Sequence, residues 1–332
     1  MAVVVNPKAG QVDVQKVRDR IEQALFRCDL RFFCEADRGK MGTFIKDQIK
    51  DSVEYVIVVG GDGTLNITAN ELFRLRGEGL DIPPICIVSS GTANDLGHEM
   101  GVHIRIDRAA RAIYSGTPAE VDLLEVEANG EKSYMLTNGG IGLAASAAKG
   151  ANVFRSKIFN GLGSKNPVAN FFSQVGAMAV ENMGSNIYNL MLVKNWVTWD
   201  KNWEISLEDD SFDYPIVTKS PFILVNNQKR LAQKFHTAPT TNNNDGTFNY
   251  LVINHSRQID RIKDVYNMGR GRWVESQNLI SKETQYLKIK SLNENIKMTF
   301  FGDGEILQDG VTEISVRCIH PGLRLIVDRG AS

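Results

Sequence analysis

The sequence predicts two fold classes in one chain: an N-terminal α/β domain followed by a C-terminal antiparallel β-sandwich domain. Over the first 120 residues, short β-branched segments alternate with segments of helical periodicity, which is typical of a mostly parallel sheet. From Glu120 onward the apolar segments are short and strand-like, and Asn129-Gly130 is a strong hairpin signal. We therefore place the change of class near residues 117–122.

The predicted elements of the first domain alternate along the chain. Strands are expected at 2–5, 31–34, 55–59 and 85–88, and helices at 43–49, 65–75, 93–101 and 107–116, with a further helix capped by Asp13. In the second half, strands are expected at 121–128, 132–138, 187–193, 203–207, 222–225, 247–253, 285–291 and 314–318, with a helical insertion at 168–181. Ligands of such a parallel sheet bind at the carboxyl ends of its strands.

Composition excludes several classes of protein. The chain has 332 residues, of which 42% are hydrophobic and 23% charged, and its formal net charge of −1 argues against a general nucleic-acid binder. The four cysteines are scattered without a C-x-x-C pair, so neither a zinc site nor a disulfide framework is indicated. No apolar run reaches the length of a membrane span, and the first residues do not resemble a signal peptide. We expect a cytoplasmic protein and leave contact with the inner face of a membrane open.

A glycine-rich turn at residues 60–64 is the most informative segment. The buried strand 55–59 runs into Gly-Gly-Asp-Gly-Thr, and a helix is predicted directly afterwards. Glycines let the backbone approach a ligand and present N–H groups to phosphate oxygens, while the helix N-terminus favours the same anion. The segment predicts a nucleotide-phosphate site. The alternative is a tight strand-to-helix turn without a ligand.

Two other segments join this turn as candidates, and several common motifs are absent. Ser89 to Asp95 follows another strand of the predicted parallel sheet, and Gly302-Asp303-Gly304-Glu305 lies near the C-terminus. No Walker-type P-loop, G-x-S-x-G or H-E-x-x-H sequence occurs. Residues 140–145 match a dinucleotide fingerprint, but no acid occurs between Lys132 and Glu181 to bind a ribose, so we interpret this match as fortuitous.

Together with Asn6-Pro7-Lys8-Ala9-Gly10, these segments resemble the soluble diacylglycerol kinase catalytic family, which also includes sphingosine, ceramide and bacterial lipid kinases. The resemblance follows the family's order over almost the whole chain. Gly-Gly-Asp-Gly-Thr alone is shared with NAD kinases and phosphofructokinases. The addition of Gly-Thr-Ala-Asn-Asp at 91–95 and Asp-Gly-Glu at 303–305 makes the resemblance specific.

This resemblance implies three parts: an α/β nucleotide-binding domain over residues 1–120, a β-sandwich lipid-binding domain over 121–310, and a segment 311–332 that returns to the first domain. ATP would lie between the domains, and Glu305 would be the general base that takes the proton of a lipid hydroxyl. The residues implied in ATP binding are Asn6, Gly60, Gly61, Asp62, Gly63, Thr64, Leu65, Asn66, Gly91, Thr92, Asn94 and Asp95. Without the family context, a surface loop remains an alternative for residues 303–305.

The resemblance also implies a metal site and a second acidic residue. Asp245, with the backbone carbonyls of Asn242 and Thr247, corresponds to the family's Mg²⁺ ligands, and oxygen donors in an Asn/Asp-rich turn suit a hard cation. A hairpin loop without metal is the alternative. Asp122 matches the family's acid at the domain junction and is our second catalytic candidate; between apolar neighbours it is expected to be paired.

The chain departs from the family pattern at three places. Ile67 stands where the family usually has Glu, and Ala144 where many members have Asp. The Thr usually found before the second helix is replaced by Cys34 or Glu35. None of these changes removes the proposed base or the glycine turn, but they leave substrate identity and catalytic rate open.

Charge is distributed unevenly along the second half. Residues 132–180 contain five basic and no acidic residues, together with several aromatic ones. Basic and apolar side chains at a membrane surface each favour binding, so we predict peripheral membrane contact through this window. An ordinary solvated surface is the alternative.

The predicted function is an ATP- and Mg²⁺-dependent kinase for a membrane lipid, and diacylglycerol is the acceptor that we favour. Other lipids (phosphatidylglycerol, sphingoid bases or ceramide), a soluble acceptor such as NAD, and a non-catalytic or weakly active nucleotide- or lipid-binding homologue remain alternatives. No nucleic-acid partner is expected, and a homodimer is left open.

Overall fold

The computed structural model describes residues 1–7, 13–89, 95–102, 106–146, 149, 203–210, 214–231, 235–254, 260, 263–264, 267–268, 270–273 and 278–327. Its helices are α1 (Val14–Ala24), α2 (Arg38–Lys50), α3 (Asp62–Gly77), α4 (Asp95–Glu99) and α5 (Ile106–Ser115). Its first strands are β1 (Ala2–Val5), β2 (Arg31–Phe33), β3 (Val56–Gly60), β4 (Ile85–Ser89), β5 (Thr117–Ala128), β6 (Glu131–Met135) and β7 (Asn138–Gly142). The later strands are β8 (Ile205–Asp209), β9 (Ile216–Thr218), β10 (Phe222–Asn226), β11 (Arg230–Leu231), β12 (Phe235–His236), β13 (Phe248–Ile253), β14 (Leu279–Thr284), β15 (Tyr286–Ser291), β16 (Met298–Gly302), β17 (Glu305–Val311) and β18 (Glu313–Val327).

The N-terminal half is a parallel sheet with helices on both faces, as the sequence predicts. Its strand order is β2-β1-β3-β4, with Val5 paired to Val59 and Gly60 to Ser89. The strands are buried on both faces: α1 and α5 cover one, while α2 and α3 cover the other. The carboxyl ends of β1, β3 and β4 therefore meet at one edge of the sheet, where the candidate residues follow them.

Two helices differ in how well their starts are predicted. Helix α1 begins after Asp13, whose carboxylate accepts from the Lys16 N–H at 3.1 Å. Helix α2 begins at Arg38, five residues before the expected start at 43, because Asp37 caps it through the Lys40 N–H at 3.0 Å. Glycines at 39 and 42 lower the local helix propensity and conceal this start.

The C-terminal half is an antiparallel β-sandwich, so the predicted fold class is confirmed. A six-stranded sheet, β14-β13-β10-β7-β16-β17, packs through a shared apolar core on the antiparallel part of a larger sheet. That larger sheet has ten strands and also contains the parallel strands of the N-terminal half, in the order β2-β1-β3-β4-β18-β15-β8-β9 with β5 and β6 attached. The two halves thus share one continuous sheet.

Strand β18 makes this continuity. It pairs antiparallel with β5 and β15, and Leu325 pairs in parallel with Ile85 of β4. Strand β5 starts at Thr117 and crosses the predicted boundary between residues 120 and 121. The division of the chain into 1–120, 121–310 and 311–332 stays a prediction.

The glycines of the fortuitous dinucleotide match lie in the middle of the six-stranded sheet. They belong to β7, which is buried between β10 and β16. Gly140 has a φ of 145°, and a Cβ there would lie 2.3 Å from the Ile223 carbonyl oxygen. Close strand packing explains these glycines.

Several predicted elements lie outside the described residues, namely the helix at 168–181 and the strand at 187–193. Among the helices that the structure describes, none is long and apolar enough to cross a membrane.

Candidate active site

The glycine-rich turn forms the first turn of a helix. Gly61 is the N-cap of α3, with φ −100° and ψ −171° and no side-chain cap, and Asp62 begins the helix. The start lies three residues before the expected one, because the Gly61 carbonyl accepts from the N–H groups of Thr64 and Leu65 at 3.0 and 3.1 Å. A helix N-terminus that no side chain caps is suited to binding an anion.

Asn6 lies next to this turn. The Asn6 side-chain amide donates to the Thr64 hydroxyl at 3.0 Å, and the Asn6 N–H donates to the Val59 carbonyl at 3.1 Å. Thr64 folds back over Gly60, where a Cβ would lie 2.5 Å from the Thr64 hydroxyl oxygen. The structure therefore brings Asn6, Gly60 and Thr64 together at the carboxyl ends of β1 and β3.

Glu305 faces the first turn of α3 from the β-sandwich. It follows a two-residue hairpin turn between β16 and β17, in which Asp303 and Gly304 have φ values of 53° and 80°. A Cβ on Gly63 would lie 3.4 Å from Oε1 of Glu305. The structure thus places the proposed general base beside the proposed phosphate site, although the two are far apart in sequence.

Asp303 fixes the position of this hairpin. Its buried carboxylate accepts from the Thr137 N–H at 2.7 Å, the Thr137 hydroxyl at 2.6 Å, the Leu136 N–H at 2.9 Å and the Asn66 amide at 2.7 Å. Burial raises the pKa of the Asp303 carboxyl, and these four donors oppose that effect. Through these hydrogen bonds, Asp303 connects the hairpin to the start of β7 and to α3.

Two predicted nucleotide-binding side chains point into the protein. Leu65 is buried in the core between the sheet and α3, so only its backbone is available at the turn. The Asn66 amide donates to Asp303 and to the Tyr134 carbonyl at 2.8 Å, and Asn70 donates to the same carbonyl at 2.9 Å. In this structure, the Asn66 side chain fastens α3 to the β-rich half.

Asp122 lies at a second contact between the halves. Its fully buried carboxylate accepts from the Gly246 N–H at 2.9 Å and pairs with Nδ1 of His320 at 2.7 Å. The hydrogen bond from His320 to Asp122 raises the pKa of the imidazole above its ordinary value. These contacts hold the loop at 242–247, whose Asn243 amide donates to the Met100 sulfur at 3.3 Å.

The same loop contains the predicted metal ligands. Oδ1 of Asp245 accepts from the N–H and the hydroxyl of Thr247 at 3.0 and 2.8 Å, while Asn242 and Asp245 are exposed. Within the described ranges, no group of three or more His, Cys, Asp or Glu side chains could hold a metal ion. A hard divalent cation at this loop would have one exposed carboxylate and would need backbone oxygens and water for its other ligands.

Comparison with known proteins finds a family likeness in the N-terminal part of the chain. A family model described as "Diacylglycerol kinase catalytic domain" matches residues 1–126. The likeness to this family thus covers the first 126 of the 332 residues. All elements from β1 to α5 and most of β5 fall within the matched residues, including the helix N-terminus at Gly61.

Two curated relatives are similar to part of the chain. "Probable lipid kinase YegS" of Escherichia fergusonii is 33% identical over 107 residues, which cover 32% of this chain and 34% of the relative. "Probable lipid kinase YegS-like" of Stenotrophomonas maltophilia is 29% identical over 126 residues, or 37% of this chain and 40% of the relative. The aligned part thus spans about a third of the length of these relatives.

Solved structures extend the likeness to the whole fold. A crystal structure titled as a diacylglycerol kinase of Bacillus anthracis strain Sterne superposes with a TM-score of 0.67 at 20% identity, covering 99% of this chain and 96% of that one. A second structure from the same strain gives a TM-score of 0.70 at 22% identity, covering 99% and 97%. At these identities the likeness shows the fold, including the β-sandwich beyond the catalytic domain.

Part of the predicted site lies outside the described residues. Gly91, Thr92 and Asn94 belong to this part, and Asp95 begins α4. Most of the proposed membrane window, residues 132–180, also lies outside. Of its basic residues within the described part, Lys132 pairs with Glu125 at 3.1 Å and Lys149 with Asp309 at 2.7 Å.

A cleft of about 490 Å³ opens beside Glu305, between α2 and α3 on one side and β6 and β17 on the other. Its lining includes Arg38, Ile67, Asn70, Arg74 and Lys132. Ile67, one of the departures from the family pattern, therefore lies close to the proposed base. Ala144, another departure, packs at the outer core of the six-stranded sheet.

Sequence reasoning missed three residues of this region. Asp303 was read only as part of a motif, although an Asp-Gly pair between strands is itself a signal of this turn. His320 and Arg38 carried no local signal, because their partners Asp122 and Glu305 are distant in sequence.

Proposed function

We propose that this protein is an ATP-dependent lipid kinase, which transfers the γ-phosphate of ATP to a hydroxyl group of a membrane lipid. The observation that carries the proposal is the position of the Glu305 carboxylate, which lies 3.4 Å from where a Cβ on Gly63 would be. A phosphate-binding helix N-terminus and an adjacent carboxylate are two parts that phosphoryl transfer to an alcohol requires. The names of the YegS relatives support a lipid acceptor.

In this proposal the first turn of α3 binds the phosphates of ATP. The N–H groups at the start of the helix and its dipole favour the negative charge, and Gly63 lets the phosphates approach the backbone. Thr64 is oriented by Asn6 at 3.0 Å. Asp62, in the same turn, suits a divalent cation that accompanies ATP and neutralises the phosphate oxygens.

Glu305 then acts as the general base. It takes the proton of the acceptor hydroxyl while the hydroxyl oxygen bonds to the γ-phosphorus and the bond from that phosphorus to ADP breaks. Asp303 is a positioning residue, because its four hydrogen bonds hold the turn from which Glu305 projects. The cleft beside Glu305 leaves space for the acceptor to approach.

The loop at 242–247 has a supporting part in this proposal. Asp245, with the carbonyls of Asn242 and Thr247, would hold Mg²⁺ or a similar cation. Asp122 is buried and contacts Gly246 and His320, so its contribution is to position this loop.

Diacylglycerol is the acceptor that we propose first, with phosphatidic acid as the product. Its hydroxyl lies at the membrane surface, so the protein would work on the inner face of the membrane. The basic residues in the 132–180 window would then favour an anionic surface.

Labelled phosphate transfer from ATP–Mg²⁺ in mixed micelles tests the proposal. The acceptors are diacylglycerol, monoacylglycerol, phosphatidylglycerol, ceramide, sphingosine and NAD, and the variants are wild type, Glu305→Gln and Glu313→Gln. Glu313 is an exposed residue of β18 paired with Lys288, so its variant is a matched control. We expect a labelled lipid from wild type and the control, reduced by about 10² or more in Glu305→Gln.

Other results would change the assignment. Labelled NAD without labelled lipid would identify a kinase for a soluble acceptor. ATP binding without transfer to any acceptor would favour a non-catalytic homologue. An active Glu305→Gln variant would show that Glu305 is not the general base.

A further inference from the structure

Arg38 occupies a position beside the proposed site that sequence reasoning did not single out. It is the first residue of α2, directly after the N-cap Asp37. Helix α2 follows β2 and helix α3 follows β3, and these strands run parallel, so the starts of both helices lie at the same edge of the sheet. Arg38 thus belongs to the nucleotide-binding half but points to the cleft that contains Glu305.

The contact between Arg38 and Glu305 is loose. Nη2 of Arg38 lies 3.7 Å from Oε2 of Glu305, which is too long for a hydrogen bond, and the two side chains are 65% and 39% exposed. An exposed pair of this kind stabilises a fold little. The guanidinium is therefore able to exchange Glu305 for a more strongly charged partner without disturbing the structure.

The other cations of the cleft are already engaged. Arg74 is bound to the carboxylates of Glu71 and Glu78 within its own helix. Lys132 is bound to both carboxylate oxygens of Glu125 at 3.1 Å. In the described part of the cleft, Arg38 is the cation that has no hydrogen-bonded carboxylate and is near Glu305.

The transfer step creates a need for such a cation. On one side, Glu305 lies against the first turn of α3, where the phosphates of ATP would bind; on the other, it faces Arg38. As the phosphoryl group moves toward the acceptor, its negative charge approaches the carboxylate of the base. The charge on the three equatorial oxygens requires compensation at that point, which the planar guanidinium can supply with two parallel hydrogen bonds.

We propose that Arg38 is a further catalytic residue, which leaves Glu305 and binds the phosphoryl group during its transfer. The inference rests on the proposed kinase function. The acceptor oxygen forms a bond to the γ-phosphorus, the bond between that phosphorus and the bridging oxygen breaks with its electron pair remaining on ADP, and the hydroxyl proton passes to Glu305. Arg38 keeps its proton throughout and forms only hydrogen bonds to the phosphoryl oxygens.

Steady-state kinetics with the acceptor that wild type uses best is the first test. The variants are Arg38→Ala, Arg38→Lys and, as a control with the same loss of charge on the same helix, Lys40→Ala, whose exposed side chain is paired with Glu35. We expect kcat to fall about 10²-fold in Arg38→Ala, with an intermediate value for Arg38→Lys and less than a threefold change for Lys40→Ala. The KM values for ATP and acceptor should change little. An unchanged kcat, an equal loss in the control, or a rise in acceptor KM alone would overturn the proposal.

A binding measurement keeps the inference separable from the kinase assignment. Isothermal titration calorimetry compares the affinity for ADP–Mg²⁺ with and without aluminium fluoride, which mimics a phosphoryl group in transfer. We expect aluminium fluoride to tighten binding to wild type and to Lys40→Ala by about tenfold or more, but not to Arg38→Ala. No tightening in wild type, or equal tightening in Arg38→Ala, would overturn the role of Arg38. If aluminium fluoride tightens ADP–Mg²⁺ binding only when Arg38 is present, but no acceptor is labelled, the role of Arg38 in binding the phosphoryl group is supported. The assignment of a lipid acceptor is then refuted.

Discussion

Two buried carboxylates fix contacts between the halves of this molecule, and they are stabilised in different ways. Asp303 receives hydrogen bonds from four neutral donors beside the start of α3. Asp122 pairs with a histidine and one backbone N–H beside the loop at 242–247. The two contacts thus differ in whether a titratable partner is involved.

The different hydrogen-bond partners of Asp303 and Asp122 suggest that the two contacts have different roles in the proposed function. Near Glu305 the geometry of the proposed reaction must be constant, and neutral donors that do not titrate near pH 7 provide this. At the loop, Asp122 raises the pKa of its partner His320, so this contact weakens as the pH rises through that raised value. We expect the hairpin contact, whose donors do not titrate, to be strong, and the loop contact to be weaker and to depend on the protonation of His320.

The largest effect is expected for Asp303→Asn. Asn tolerates the left-handed backbone at this position. Its amide nitrogen, however, would replace a carboxylate oxygen that accepts hydrogen bonds from Asn66 and Leu136, so donors would face a donor. We expect a loss of about 2–4 kcal/mol in the free energy of unfolding, measured by urea denaturation, and a parallel loss of phosphate transfer.

Asp309→Asn on the same hairpin is the control. Asp309 is half exposed and paired with Lys149, so its replacement should change the free energy of unfolding by less than about 1 kcal/mol. Equal effects of both substitutions would show that the buried hydrogen bonds do not distinguish Asp303.

A smaller effect, on activity alone, is expected for Gly63→Ala. Alanine favours a helix over glycine by about 1 kcal/mol, so stability should be equal or higher. The added methyl would lie 3.4 Å from Oε1 of Glu305, in the space where we place the transferred phosphate, and activity should fall about tenfold or more.

Gly77→Ala separates stability from activity in the same helix. A Cβ at this last residue of α3 would have no neighbour within 4 Å, so the substitution should leave phosphate transfer unchanged. If Gly63→Ala proves as active as Gly77→Ala, the phosphates do not pass between α3 and Glu305.

The smallest effect is a pH dependence that comes from His320. Because Asp122 raises the pKa of His320 in the folded state, the stabilisation is complete below the ordinary value of 6.5 and is lost as the pH rises through the raised value. We expect the free energy of unfolding of wild type to fall, as the pH rises above 6.5, more than that of His320→Gln. Parallel pH profiles would show that the pair does not contribute to stability.

Local signals explain which elements the sequence predicts well. The strands of the parallel sheet are continuous runs of β-branched residues, and Asp13 caps α1 as expected. The start of α2 was missed because glycines conceal it, and that of α3 because the same glycines suggest a loop. In both cases capping and packing against the sheet outweigh the low propensity of glycine.

The sequence by itself determined the fold class and the candidate residues that occur in motifs, because periodicity and turn chemistry act over short distances. The tertiary structure alone decided the continuous sheet through β18, the burial of Asp303 and Asp122, and the position of Arg38 beside Glu305. Each of these depends on a pairing between residues far apart in the chain. Such pairings are set by the packing of whole elements, and no local pattern records them.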